Sequence, residues 1–399
     1  MASYTYLIVG GGMTADAAVR GIREVDASGS IAIIGAEPDP PYDRPPLSKG
    51  LWKGDPLDKV WRDTGSLGVE LLLGRTVTAI DPWNKRVVDD RKSAFGFDNL
   101  LLATGGAPRR LPSGDGKVVY FRTLDDFRRL RGMIDQGRRF AVVGGGFIGS
   151  EIAAALAMNG KEVALVFPGE GIGAHVFPRD VSLFLNGYYR QKGVEVFPGE
   201  TVRGVESRAG RLVLKTRDVK TLDTRDLPVD GIVAGLGILP NEELARAAKL
   251  AVGSGIVVDA SCRTSHPDIY AAGDVANFYN PALGTRMRVE HEDNAKTMGR
   301  LAGRAMAGQH EAYRHLPFFY SDLFDLGYEA VGEVESRLET VADWEEPFRK
   351  GVVYYLRQGR VRGVLLWNVW KHVDFARRLI ANPGPFRPAD LLGRYRETG

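Results

Sequence analysis

Of the 399 residues only one, Cys262, is a cysteine. That scarcity excludes an internal disulfide, a Cys-x-x-Cys redox pair and any cysteine-built zinc or iron-sulfur site, and no metal is expected. Long apolar runs are missing as well. No stretch suffices to span a bilayer, and Tyr6 to Val9 runs into a glycine cluster so early that a signal peptide has no room, so a soluble, cytoplasmic protein with no integral membrane span is expected. Charge of either sign is nearly balanced: 53 Lys and Arg face 50 Asp and Glu, a formal net charge of +3. That is far below a nucleic-acid footprint, and at most a mild bias toward an acidic partner. Low-complexity stretches and long linkers are absent too, which implies closely packed domains.

What is there is a globular composition, 44% hydrophobic and 26% charged, in a chain long enough for two or three domains. The 49 glycines and 21 prolines imply many tight turns. An apolar strand at Tyr6 to Val9 is followed by Gly10, Gly11 and Gly12, then by Ala15, Ala18, Val19 and Ile22 at helical spacing, and a second strand follows at Ile31 to Ile34. The pattern Gly10-x-Gly12-x-x-Ala15 suits a dinucleotide: Gly10 makes the tight turn, Gly12 admits the pyrophosphate and Ala15 lets helix and strand approach. Glu37 stands where an acid meets a ribose hydroxyl.

The same grammar returns at Phe140 to Val143, with Gly144, Gly146 and Gly149, a helix face at Ile148, Ile152, Ala155 and Leu156, and a strand at Val163 to Phe167. Glu170, after that strand, would accept from a ribose 2′-hydroxyl and repel a 2′-phosphate, favouring NADH over NADPH, a solvated side chain in the loop Phe167-Pro168-Gly169-Glu170-Gly171 being the competing reading. Two such openings imply two Rossmann-like domains. Leu100 to Ala103 and Ile269 to Ala272 are further short strands, ending at Thr104-Gly105 and Gly273-Asp274. Between the openings, prolines stiffen Pro41-Tyr42-Asp43-Arg44-Pro45-Pro46-Leu47-Ser48-Lys49, whose cations suit a pyrophosphate or flavin, although solvated cations on a surface turn are the competing reading. From about Leu316 the pattern becomes a hairpin turned at Gln358-Gly359 and a helix near Phe375 to Ile380.

Taken together, VGGGMTADAA, PYDRPPLSK, LLLATGGAPR, VVGGGFIGSE, GLGILPN, IYAAGDV and VEHEDNA resemble, in order and spacing, the FAD-dependent pyridine nucleotide oxidoreductases. Within them the match is to the branch of oxygenase-type ferredoxin and rubredoxin reductases and apoptosis-inducing factor. The resemblance implies an α/β fold with two Rossmann-like domains, for FAD and NAD(P)H, of the glutathione-reductase type, plus a C-terminal α+β domain. The expected parts are 1–115 and 241–315 for FAD, 116–240 for NAD(P)H and 316–399 for the C-terminal domain. Gly10, Gly12, Ala15, Arg44, Lys49, Thr104, Gly105, Gly273 and Asp274 would hold FAD. Gly144, Gly146, Phe147, Ile148, Gly149, Glu151 and Gly237 would border the nicotinamide nucleotide.

The resemblance further pairs Lys49 with Glu151 beside the flavin and sets Glu290 and His291 close to flavin and nicotinamide, a structural histidine being the competing reading for His291. Relatives carry tryptophan where this chain has Tyr320, and an acid at Ala36, which leaves Glu37 as substitute. The expected cofactors are FAD and NADH, the expected partner a small acidic iron-sulfur carrier such as ferredoxin or rubredoxin, and the expected state a monomer or homodimer. An apoptosis-inducing-factor-like redox-responsive binding protein and a quinone or oxygen reductase stay open as alternatives. Disulfide reduction is set aside, because it relays electrons through a cysteine pair, and Cys262 is read as a packing residue.

Overall fold

A computed structural model describes residues 1–114, 116–208 and 210–398. The chain divides into two compact units, and each draws on separated stretches of sequence.

The first comprises Met1–Arg44, Leu57–Ala107 and Leu239–Phe319. Its main sheet runs Val69–Leu73, Ile31–Gly35, Ala2–Val9, Ala94–Leu102, Arg86–Asp89, Val77–Asp81, with Ile269–Ala271 also paired to Ala94–Leu102. The strands Val69–Leu73, Ile31–Gly35, Ala2–Val9, Ala94–Leu102 and Ile269–Ala271 are joined in parallel. Leu7, Ile8, Leu100, Leu101 and Ile33 are wholly buried, as expected where a parallel sheet is covered on both faces. The covering helix Met13–Arg23 lies backbone-close to Glu292–Met306: a Cβ on Gly303 would stand 2.0 Å from the Ala18 carbonyl oxygen. Asp16, with no exposed side-chain surface, takes Arg62 at 2.7 Å, Thr64 at 2.7 Å and Arg20 at 2.9 Å, tying the segment around Arg62 and Thr64 to this helix.

The second unit comprises Pro45–Pro56, Pro108–Ile238 and Tyr320–Gly399. Its parallel sheet runs Val194–Pro198, Glu162–Phe167, Arg139–Val143, Gly231–Ala234, Val118–Tyr120. A three-stranded antiparallel sheet, Glu200–Arg208, Arg211–Asp218 and Thr224–Val229, accompanies it. The last sheet runs Phe318–Leu323, Leu326–Gly332, Arg360–Trp367, Lys350–Arg357, Glu339–Glu346, backed by the helix Val373–Ala381. The expected hairpin turn has Gln358 at φ 53° and Gly359 at φ 71°, the primed turn that matches strand twist. Phe177 sets its edge on the stacked rings of Tyr328 and Trp367, with centroids 5.2 and 5.4 Å away. That aromatic cluster joins the C-terminal sheet to the second nucleotide sheet. Among the described residues no helix is long and apolar enough to cross a membrane, and no group of His, Cys, Asp or Glu is arranged to hold a metal.

Candidate functional site

The two glycine turns are near-copies of one geometry. In each, the first glycine has φ 114°, a conformation closed to other residues at low cost. A Cβ there would meet a carbonyl oxygen, that of Ala103 at 2.1 Å for Gly10 and that of Gly235 at 2.2 Å for Gly144. The strand ladders are duplicated as well: Gly10 N donates to Ile34 O at 2.8 Å and Gly144 N to Val166 O at 2.9 Å. Gly12 and Gly146 are the N-caps of Met13–Arg23 and Phe147–Met158 and accept no side-chain cap. A Cβ on either would meet nothing within 4 Å. Each turn therefore presents first-turn N–H groups with no side-chain cap above open space, which fits a pyrophosphate. The sequence-predicted Ala15 and Gly149 lie at the close approaches behind: Ala15 is fully buried, and a Cβ on Gly149 would lie 1.8 Å from Gly144 O.

In the first unit, Glu37 follows the strand Ile31–Gly35 and is not a lone acid. It accepts from Tyr42 Oη at 2.5 Å and pairs with Arg44, whose guanidinium lies 5.1 Å from the Tyr42 ring centroid. Burial works against the Arg44 charge, and the Glu37 carboxylate, with Asp274 adding to it, more than restores it. Asp274 sits in the turn Gly273–Val275, immediately after the strand Ile269–Ala271 and Ala272, with Gly273 at φ 77°. Thr104 Oγ1 donates to Asn241 O and Asn241 Nδ2 returns a bond to Thr104 O, both at 2.8 Å, while Asn241 N donates to Gly105 O at 3.0 Å. Glu290 pairs with Arg288 at 2.6 Å, and Arg288 also donates to the Asp274 carbonyl at 3.0 Å. His291 is the N-cap residue of Glu292–Met306, and its ring stacks on Phe319 with centroids 4.4 Å apart.

In the second unit, Phe147 and Ile148 open the helix, Ile148 partly exposed, and Glu151 is buried one turn on. Lys49 Nζ donates to Glu151 Oε1 at 2.7 Å, the pairing expected from the sequence. Two hydroxyls that the sequence reading passed over complete the arrangement. Ser321 Oγ donates to Oε1 at 2.5 Å and Ser48 Oγ to Oε2 at 2.6 Å. Lys49 Nζ also lies 5.2 Å from the Tyr320 ring centroid, within cation–π range. Burial, and then the Glu151 charge, push the hydroxyls of Tyr189 and Tyr328 far up. Gly237, at φ 77°, accepts the Arg109 N–H at 2.9 Å. Glu170 lies at the surface between Arg179 and Lys220; the bond from Arg179 and then the Lys220 charge hold its carboxyl below the ordinary range. Cys262, fully buried in the first unit's core, has its thiol pushed far up by burial.

Ser48, Asn241, Arg288 and Ser321 are the residues that sequence reasoning missed. Ser48 and Asn241 stood inside recognised strings, next to assigned neighbours. Ser321 stood next to Tyr320, a position the resemblance had marked, but its partner is 170 positions away and no spacing pointed to it.

Residues 4–299 match the family model described as pyridine nucleotide-disulphide oxidoreductase. Residues 302–347 and 342–382 match that of the C-terminal region of mitochondrion-associated apoptosis-inducing factor. The chain is 35% identical to the ferredoxin–NAD(+) reductase component of the anthranilate 1,2-dioxygenase system of Burkholderia cepacia, over 98% of both chains. It is 34% identical to mitochondrial apoptosis-inducing factor 1 of Dictyostelium discoideum, over 94% of this chain and 78% of that one. Putidaredoxin reductase in its covalent complex with putidaredoxin superposes with a TM-score of 0.89 at 30% identity, over 98% of this chain and 95% of that one. With two dinucleotide turns and these matches along nearly its whole length, the chain belongs to the pyridine nucleotide-disulphide oxidoreductase family, as an FAD-dependent NAD(P)H oxidoreductase.

Proposed function

We propose that this protein takes a hydride from NADH and delivers electrons one at a time to a small acidic iron-sulfur carrier. The balance is NADH plus two oxidised carriers giving NAD⁺, a proton and two reduced carriers. The observation that carries this reading is the Lys49–Glu151 pair, whose buried carboxylate also holds two hydroxyls, in a chain whose only cysteine is buried. The site is built for fixed electrostatics and not for thiol relay.

FAD, when bound, supplies the conversion between two-electron and one-electron transfer. In the first unit, the turn at Gly10, Gly12 and Ala15 cradles its pyrophosphate, and Arg44, Thr104, Gly105, Gly273 and Asp274 line the rest, with Glu37 orienting Arg44. Lys49 and Glu151, with Tyr320 beside Lys49, are the charged pair that the resemblance assigns to tuning the flavin. The turn at Gly144, Gly146 and Gly149 holds the coenzyme pyrophosphate; Phe147, Ile148 and Gly237 border the nicotinamide, and Glu170 meets the adenosine ribose. Glu290 and His291 complete the surroundings of the rings. Positioning supplies most of the rate, because hydride transfer needs alignment and no protein acid. Residues 1–115 and 241–315 serve FAD, 116–240 the coenzyme and 316–399 the C-terminal part.

The carrier partner rests on the named reductase relatives and on the slightly basic balance of the chain. A second reading, a redox-responsive binding protein of slow turnover, is favoured by the match of residues 302–382 to the apoptosis-inducing-factor C-terminal model. Anaerobic stopped-flow reduction by NADH, followed by mixing with ferredoxin, rubredoxin, quinone or oxygen, separates them. Rapid bleaching and fast reoxidation by an iron-sulfur carrier are expected; slow reduction with a persistent long-wavelength flavin–nicotinamide band would select the second reading.

A further inference from the structure

Glu170 alone would be a simple veto on a 2′-phosphate, yet a cation stands at each of its carboxylate oxygens. Arg179 Nε lies 3.0 Å from one carboxylate oxygen and Lys220 Nζ 3.5 Å from the other. These three come from different parts of the second unit. Glu170 follows the strand Glu162–Phe167, Arg179 opens the helix Arg179–Gln191, and Lys220 stands in the turn between Arg211–Asp218 and Thr224–Val229.

The backbone around them is pinned, so the meeting is built in and does not depend on the long side chains alone. Asn186, 4% exposed, donates to the Glu170 carbonyl at 2.8 Å and accepts from Ile172 N at 3.1 Å. Gly199 N donates to Gly169 O at 3.0 Å and Val219 N to Gly199 O at 2.8 Å, a backbone chain that brings the Lys220 turn beside the Glu170 loop. Lys220 N and Thr221 N both bond the Asp218 carboxylate, at 2.7 and 2.8 Å, which fixes the turn itself. Against this frame the charged side chains reach into water: Glu170 is 54% exposed, Arg179 75% and Lys220 76%. An exposed pair of this kind is weakly held, so an incoming phosphate can exchange places with the carboxylate at little cost.

We propose that the coenzyme site of this protein accepts 2′-phosphorylated nucleotides as well as NADH, with Arg179 and Lys220 as the phosphate-recognising cations and Glu170 as the acceptor for an unphosphorylated ribose. The proposal rests on the reading of the Glu170 loop as the adenosine-ribose site. Toward NADH, Glu170 accepts from the 2′-hydroxyl while the cations screen it. Toward NADPH, the Arg179 fork and the Lys220 ammonium meet a group of charge about −2, and the carboxylate turns aside into solvent. Arg179 and Lys220 flank the single Glu170 carboxylate on both oxygens, which offsets its repulsion of a 2′-phosphate, so discrimination between the coenzymes is small.

The test is calorimetric titration of the FAD-loaded protein with 2′,5′-ADP and with 5′-ADP, which differ only in where the second phosphate sits. Wild type is expected to bind both within about tenfold. Arg179→Gln with Lys220→Gln should weaken 2′,5′-ADP more than tenfold and leave 5′-ADP within twofold, whereas Glu170→Gln should tighten 2′,5′-ADP severalfold and weaken 5′-ADP. The same ordering is expected in the NADPH to NADH ratio of kcat/KM. Unchanged 2′,5′-ADP affinity in the double variant, or a wild type that prefers 5′-ADP more than a hundredfold, overturns the proposal while leaving the ribose site in place. If Glu170→Gln and the double variant leave both affinities unchanged, the ribose site lies elsewhere and the proposal falls with it.

Discussion

Ser321 Oγ donates to the same oxygen of Glu151 that Lys49 holds, at 2.5 Å, from a side chain with no solvent exposure. A buried carboxylate stripped of one of its donors loses a charge-assisted bond. Ser321→Ala is therefore expected to lower the unfolding free energy by about 2 kcal/mol. In a Glu151→Ala background the same change should cost under about 0.5 kcal/mol, because the acceptor is gone. Denaturant unfolding of the four proteins of this cycle measures the coupling; a coupling near zero would mean that the hydroxyl is a spectator.

The two glycines of the second turn separate folding from binding. Gly146→Ala adds a methyl group where no atom lies within 4 Å, at an ordinary extended φ of −87°, so stability should change by less than about 1 kcal/mol. The same methyl group fills the proposed phosphate cradle, and NADH affinity should drop at least about tenfold, near 1.4 kcal/mol. Gly149→Ala forces a carbon against Gly144 O at 1.8 Å and should destabilise the fold as well as binding. Thermal unfolding beside equilibrium dialysis of NADH distinguishes the two; equal behaviour of both variants would refute the cradle.

Asp16 contributes to acid stability in the first unit. Its burial favours the neutral acid, but bonds from Arg20, Thr64 and Arg62 outweigh this and hold its carboxyl below the ordinary value. A group depressed in the folded state stabilises above its unfolded pKa of about 4, and that contribution is lost as pH falls through the folded value. Asp16→Asn should cost about 3 kcal/mol near neutrality, since Arg62 is left facing a buried amide. The variant should also show a shallower loss of stability below about pH 4. Urea melts at successive pH values check this: parallel wild-type and variant curves across the acid range would rule out Asp16 as the titrating group.

Cys262 is fully buried and its thiol is pushed far up, so little thiolate exists at neutral pH. The native protein is expected to leave a thiol reagent unreacted for hours, while the denatured chain takes up one equivalent. Cys262→Ala should retain reductase turnover and lose about 1 kcal/mol through the small void. Loss of turnover in that variant would return thiol chemistry to the mechanism.

Local order was legible in the sequence because it depends on residues close together in the chain. The change of period marked strands at Tyr6 to Val9 and Phe140 to Val143, which the fold extends to Ala2–Val9 and Arg139–Val143, and the helices that follow them, with glycine turns between. The hairpin at Gln358-Gly359 was readable for the same reason. The resemblance, not any spacing, supplied the pair Lys49 and Glu151, which lie 102 positions apart.

What the tertiary structure alone decided is the company each charge keeps. Read from the sequence, Glu37 and Arg44 were separate ligands of a nucleotide; folded, they form one pair, because Tyr42 and the stiff loop bring the guanidinium back onto the carboxylate. Glu170 was a lone acid until the Asn186 clamp and the chain from Gly169 through Gly199 to Val219 set two cations beside it. Ser321 reached Glu151 only when the C-terminal sheet packed home through Phe177, Tyr328 and Trp367. Periodicity fixes which face of an element is apolar, but charge pairing acts between elements distant in sequence, and only the packed chain selects which charges meet.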